Sequence, residues 1–213
     1  MQSTTDKLNA GNESGDSIAK QGWWEVTSPP PELASRCEAL VSEQTKTGPL
    51  SLEQLDNLVK NITAQPEIWE PLVVLDASRR RYRLLFEDDR TDVWVLSWMP
   101  GQGTGFHDHD VSGVALICAQ GRIVEKQMLL PSGATRIEMT PGYSRTGGAG
   151  YIHSVAWCDG TPAVSIHAYS PPLLKVGQYR VDENGILERR IEKGRQELLD
   201  HTIGELDPER ADG

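Results

Sequence analysis

Two histidines separated by one residue, His107-Asp108-His109, are the densest concentration of potential chemistry in this chain. On an extended strand, residues two apart point to the same face. Both imidazoles can therefore aim at one interior point and make half of a transition-metal site, since imidazole suits iron, zinc, copper and nickel. A third imidazole, His153, ends the segment Gly150-Tyr151-Ile152-His153. A lone His-x-His also arises by chance on solvated strands. Here its flanks argue for a site: Gly101 stands six residues before His107, and Gly121 twelve after His109. Those are places where a bounded hairpin strand needs tight turns. Three neutral histidines with no carboxylate would leave a divalent ion its full charge and open positions. Such a centre favours an anionic substrate bound directly to the metal, and open positions mark catalysis.

A second constellation is Ser165, His167 and Tyr169, which alternate along one run and so share a strand face. Buried together, they can act as a relay that holds the phenol hydroxyl in one direction. The plain reading is ordinary strand residues with Tyr169 in the core and its hydroxyl satisfied. A third is the basic run Arg79-Arg80-Arg81-Tyr82-Arg83. Arg81 and Arg83 share strand parity, so either can point inward, and at least two of the four arginines belong to the solvated surface. An inward Arg can hold a carboxylate through two parallel hydrogen bonds, which Lys cannot.

The elements that must position these residues are legible in outline. With 213 residues, 38% hydrophobic and 24% charged, the chain suits one globular domain with tails. Its formal net charge of −10 argues against nucleic acid or an anionic membrane as partner. No segment has the apolar length of a membrane span, and Met1 to Gln21 lacks a signal peptide's apolar stretch, so a cytoplasmic location is expected. Cys37, Cys118 and Cys158 are odd in number and lack CxxC spacing, which excludes a disulfide framework or zinc knuckle. They are expected to be reduced and to act as small apolar residues.

Residues 1–21 are polar, lack periodicity and are expected to form a disordered tail. After Pro29-Pro30-Pro31, the spacing of Leu33, Cys37, Leu40 and Val41 predicts a helix. Ser51 and Gln54 resemble a capping box for a second helix carrying Leu52, Leu55, Leu58 and Ile62. Strands are predicted near 72–75, 81–86, 92–99, 104–109, 113–118, 121–130, 134–139, 150–156, 162–169, 175–181 and 186–191. The turn spacing leaves no room for crossover helices, so an antiparallel barrel or sandwich is expected over a parallel sheet. The domain is expected over 22–191, with 192–213 as a charged tail that starts as a short helix.

The Gly, five residues, His-x-His, later Gly pattern resembles the first motif of the cupin superfamily, and Gly150-Tyr151-Ile152-His153 resembles part of its second. In cupins a Glu ligand follows the second His; its place here is Val114, and Trp157 replaces the second motif's Asn. The cupin branch without that Glu is the cysteine dioxygenase family. Ser165-Ile166-His167-Ala168-Tyr169-Ser170-Pro171-Pro172 is similar to that family's Ser-x-His-x-Tyr-Ser-Pro-Pro signature, and the likeness runs from about Tyr82 to Pro172. The resemblance implies a mainly β, antiparallel cupin (jelly-roll) barrel with two or more N-terminal helices. It implies Fe(2+) held by His107, His109 and His153, with Ser165, His167 and Tyr169 as the relay that points the phenol at substrate and oxygen. The implied reaction adds O2 to a small thiol, most simply L-cysteine, giving a sulfinic acid with no reductant or organic cofactor.

Mammalian members carry a cysteine that crosslinks to the relay tyrosine; its place falls at Val114, so no crosslink is expected, as in bacterial-type members. Cysteine-preferring members hold the carboxylate with an early Arg, and mercaptopropionate-preferring relatives carry Gln there. Arg83-Leu84-Leu85 fits that pattern best, with Arg81 as the alternative. A dioxygenase for 3-mercaptopropionate, cysteamine or a larger thiol stays open. So do a zinc or manganese cupin isomerase or lyase, and a non-catalytic metal-binding cupin, both of which the relay disfavours. A monomer or weak homo-oligomer is expected.

Overall fold

The computed structural model describes residues 29–193 apart from 131, 182, 183 and 185. The expected disordered tail over 1–21, His201 and the charged tail expected over 192–213, apart from 192 and 193, lie outside the described residues; 192 and 193 continue a strand where a short helix was expected. Helix α1 (Pro31–Gln44) starts on a proline, whose missing N–H costs nothing at that position, and buries Leu33, Cys37 and Val41. Helix α2 (Leu52–Thr63) carries the predicted capping box: Ser51 Oγ accepts from the Gln54 amide, and Gln54 Oε1 accepts from the Ser51 amide. Its apolar stripe, Leu55, Leu58, Val59 and Ile62, is fully buried. The strand expected at 72–75 is absent. A short helix α3 (Pro66–Trp69) runs into a 3-10 turn over Glu70–Leu72 instead. Pro66 and Pro71 each open a turn, and Ile68, Trp69 and Leu72 are buried at turn rather than strand spacing.

The strands are β1 (Arg81–Glu87), β2 (Asp92–Trp98), β3 (His107–Asp108), β4 (Gly113–Gln120), β5 (Ile123–Leu129), β6 (Gly133–Met139), β7 (Ser144–Gly147), β8 (His153–Trp157), β9 (Ala163–Ser170), β10 (Lys175–Val181) and β11 (Leu187–Lys193). They pair antiparallel in two sheets, ordered β1-β2-β9-β4-β7 and β11-β10-β3-β8-β5-β6, in the jelly-roll arrangement of cupins. Strand β7 was not predicted, because Ser144-Arg145-Thr146-Gly147 has no apolar alternation. The strand expected over 104–109 contributes only two residues to the ladder. Among the described residues, no helix is long and apolar enough to cross a membrane.

Parity along the five-stranded sheet sorts its side chains into two cores. Val93, Val95, Ile117 and Ile166 pack outward beneath α1 and α2, while Trp94, Leu96, Trp98 and Leu116 face inward. Cys37 lies in the outer core and Cys118 in the inner one, both buried and unbridged. The turn before β5 needs a glycine: Gly121 has φ +69, and a Cβ there would come within 2.7 Å of the Pro162 carbonyl oxygen.

Candidate metal centre

Strand β3 lies between β8 and β10, and its register places His107 directly opposite His153. His109 follows just beyond the ladder, before Asp110 turns the chain at φ 55. The strand parity thus persists one residue past the strand, and the three imidazoles meet. Ring centroids are 5.1 Å apart for His107 and His109, 4.6 Å for His107 and His153, and 5.1 Å for His109 and His153. One nitrogen from each lies within 4.8 Å of the others, and all three side chains are buried.

Two of the outward nitrogens are engaged. His107 Nδ1 sits 2.9 Å from the Gly105 carbonyl oxygen, and His153 Nδ1 sits 2.8 Å from Glu125 Oε1. Each contact places a proton on Nδ1 and leaves Nε2 as the lone-pair atom, the arrangement metal-ligating histidines adopt. Among the described residues, His153 Nε2 is buried without a hydrogen-bond partner, which suits a ligand nitrogen. Glu125 is the main residue missed from sequence. It is buried on β5 and also accepts from Tyr151 Oη at 2.9 Å and Arg145 Nε at 2.9 Å. A charged residue next to Ile123-Val124 in a buried strand was the available signal. Its partner on β8 was not visible, because that pairing spans 28 residues.

Burial alone would raise the Glu125 carboxyl; the hydrogen bonds from His153, Tyr151 and Arg145 overcome it and hold the group below the usual carboxylate range. The site therefore has a carboxylate after all, placed behind His153 and balanced by Arg145, rather than on the metal. Asp108 points the opposite way from its neighbours. It accepts from Arg189 Nε at 2.6 Å, Arg189 Nη2 at 2.7 Å and Tyr179 Oη at 2.6 Å, so β10 and β11 clamp the His-Asp-His segment from outside. Gly177 faces Asp108 across the ladder, and any side chain there would collide with the Arg189 guanidinium.

Burial, only partly offset by the hydrogen bond to Glu125, pushes His153 from 6.5 down to about 4. Between those values the unfolded chain binds the proton and the folded chain does not, so stability rises with pH. The metal-free protein should lose on the order of 3 kcal/mol as pH falls through that window. Urea denaturation across the window measures it. In His153→Asn, whose side-chain amide still donates to Glu125, the slope should flatten; an unchanged slope would place the titration elsewhere.

The predicted relay residues are in hydrogen-bond contact inside β9. Ser165 Oγ lies 2.9 Å from His167 Nε2, and His167 Nδ1 lies 3.1 Å from Tyr169 Oη. The Tyr169 ring centroid is 4.9 Å from that of His109, so the relay ends at the triad. Val114 is the direct cross-strand neighbour of Tyr169 and offers neither a metal ligand nor a sulfur.

Arg81 and Arg83 are not brought to this site. Arg83 pairs with Val95, and Arg81 with Ser97, so both lie on the helix-facing side of the sheet. Arg81 donates to Asp76, with Nε 2.9 Å and Nη2 2.7 Å from Oδ2. The inward positions on β1 are Tyr82, edge-on to Trp94 at 6.0 Å, and Leu84. The two arginines share strand parity, as expected, and the face they share is the outer one.

A family model described as "Cysteine dioxygenase type I" matches residues 38–182. Cysteine dioxygenase type 1 of Danio rerio is 30% identical over 134 residues, covering 58% of this chain and 67% of that protein. The Homo sapiens protein of the same name is 26% identical over 133 residues, covering 58% and 66%. The chain thus spans about two thirds of the length of these relatives. A solved cupin superfamily protein (DSY2733) from Desulfitobacterium hafniense DCB-2 is 15% identical, with a TM-score of 0.41, covering 47% of this chain and 84% of that one.

Proposed function

This chain belongs to the cysteine dioxygenase type I family, and on that premise we propose that it is a non-haem iron(II) enzyme that oxidises a small thiol, in the first place L-cysteine, with O2 to the sulfinic acid. The observation that carries this reading is the meeting of three buried imidazoles with the tyrosine end of the Ser165-His167-Tyr169 relay. His107, His109 and His153 would hold the iron, and the Nδ1 contacts of His107 and His153 already fix the orientation of those two rings. Bound iron supplies the electronic route by which a thiol and dioxygen react. Both oxygen atoms end on sulfur, and the thiol supplies all the electrons, so no reductant enters. Tyr169 would present its hydroxyl to the reacting atoms, while His167 and Ser165 hold it in place. Glu125 would keep His153 in one tautomer.

The inner face of β1 favours a second reading of the substrate. With Leu84 and Tyr82 inward, this strand brings no guanidinium from Arg81 or Arg83 to a carboxylate. A thiol without a carboxylate, such as cysteamine, or a carboxylate held by the Tyr82 hydroxyl, fits that lining. Arg83→Ala should therefore lower turnover of cysteine and cysteamine by the same factor. A loss selective for carboxylate thiols, read by oxygen uptake, would return Arg83 to the site. Metal analysis followed by an oxygen-uptake screen over cysteine, 3-mercaptopropionate and cysteamine tests the whole proposal. A metal-free chain, or one that consumes oxygen with no thiol, overturns it.

A further inference from the structure

The hydrogen-bond line that ends at Tyr169 does not begin at Ser165. Trp98, at the end of β2 and fully buried, donates from Nε1 to Ser165 Oγ at 2.8 Å. An indole N–H can only donate, whereas a hydroxyl has one proton and two lone pairs. Ser165 Oγ is therefore an acceptor towards Trp98. Its remaining contact among the described residues is His167 Nε2 at 2.9 Å. If Nε2 carried a proton, two donors would converge on Ser165, and the serine proton would be buried with no acceptor. If Nε2 is bare, Ser165 donates to it and every group is satisfied. The neutral His167 then carries its proton on Nδ1 and donates it to Tyr169 Oη at 3.1 Å. The phenol oxygen is thereby used as an acceptor on the His167 side, and the phenol proton is directed away from that side.

Arg80 strengthens the head of the line. It is 2% exposed, and its guanidinium carbon lies 5.0 Å from the Trp98 ring centroid. A cation over an indole face draws on the ring's electron density and makes its N–H a better donor. Arg80 belongs to the same basic run as the candidates Arg81 and Arg83, and its guanidinium packs inward where theirs do not.

We propose that Trp98 is a positioning residue that sets the direction of the relay, so that Tyr169 meets the reacting atoms as a hydrogen-bond donor and not as an acceptor. This rests on the reading of Tyr169 as the group that faces the substrate. The direction itself can be tested without turnover. In the full-length protein loaded with zinc, which is diamagnetic, histidine 15N NMR should show His167 protonated on Nδ1 and bare on Nε2, with His167→Gln identifying the signal. Replacing Trp98 with 3-benzothienylalanine keeps the ring's shape and puts sulfur in place of the N–H. In that protein the His167 signal should become a mixture of tautomers. In the iron-loaded form kcat should fall about fivefold, the worth of one neutral hydrogen bond, with KM for the thiol and iron content unchanged.

A wild-type His167 protonated on Nε2 overturns the proposal. So does an isostere with an unchanged tautomer, whatever its rate, or a changed tautomer with an unchanged kcat. A wild-type protein inactive on every thiol would instead sink the proposed activity, and the NMR result would still decide the direction.

Discussion

Replacing His107, His109 or His153 with alanine should strip the iron from a chain that stays folded. Losing a partner that merely orients a ligating histidine typically costs 10–100-fold in metal affinity. Losing the ligand itself should cost at least about a hundredfold, enough to leave the purified protein largely metal-free. The fold should survive because the sheets close over two apolar cores independent of the triad. His153→Ala is the most demanding case, since it removes one donor from buried Glu125. Arg145 and Tyr151 still satisfy that carboxylate, so unfolding is not expected. Metal content by elemental analysis, with far-ultraviolet circular dichroism for the fold, makes the measurement. His201→Ala is the control, as that residue lies in the charged C-terminal stretch. Full iron retention in His153→Ala, or iron loss in His201→Ala, would break the proposed triad.

Tyr169→Phe should retain iron and lose on the order of a hundredfold in turnover, the typical cost of deleting one hydrogen bond aimed at developing charge. The substitution is nearly silent for packing. The ring stays in the inner core, and the Tyr169 carbonyl still accepts from Thr91 Oγ1 at 2.6 Å. It removes the atom to which His167 Nδ1 is joined and leaves the ligands in place. Oxygen uptake on the best thiol, normalised to bound iron, reads the effect. Unchanged turnover would reduce Tyr169 to a packing residue. A rate loss matched by iron loss would make its role structural.

Much of the candidate site was legible in the sequence because its chemistry is local. His107 and His109, and again Ser165, His167 and Tyr169, are two apart, and period-two geometry puts such residues on one face whatever the strand packs against. The Ser51–Gln54 capping box is local for the same reason, since it closes within one turn. The helices over 31–44 and 52–63 and most of the strands followed from periodicity. The turn at 70–72 and strand β7 did not. A short apolar run does not declare its period, and a polar edge strand has no alternation to read.

Facing and partnership belonged to the tertiary structure. Parity told that Arg81 and Arg83 go together, but both faces of their sheet are buried, one under helices and one against the inner core. With apolar residues on both sides, the sequence carries no mark of which side holds the metal triad. The pairing of β1 with β2, with its irregularity between Leu84 and Phe86, decided that Leu84 and Tyr82 face in. Glu125 behind His153, Arg189 behind Asp108 and Trp98 at the head of the relay are separated from their partners by 28, 81 and 67 residues. Such contacts are made by strand order and register, which depend on the packing of the whole chain. The sequence therefore determined which side chains can do the chemistry, and the tertiary structure decided how each is held.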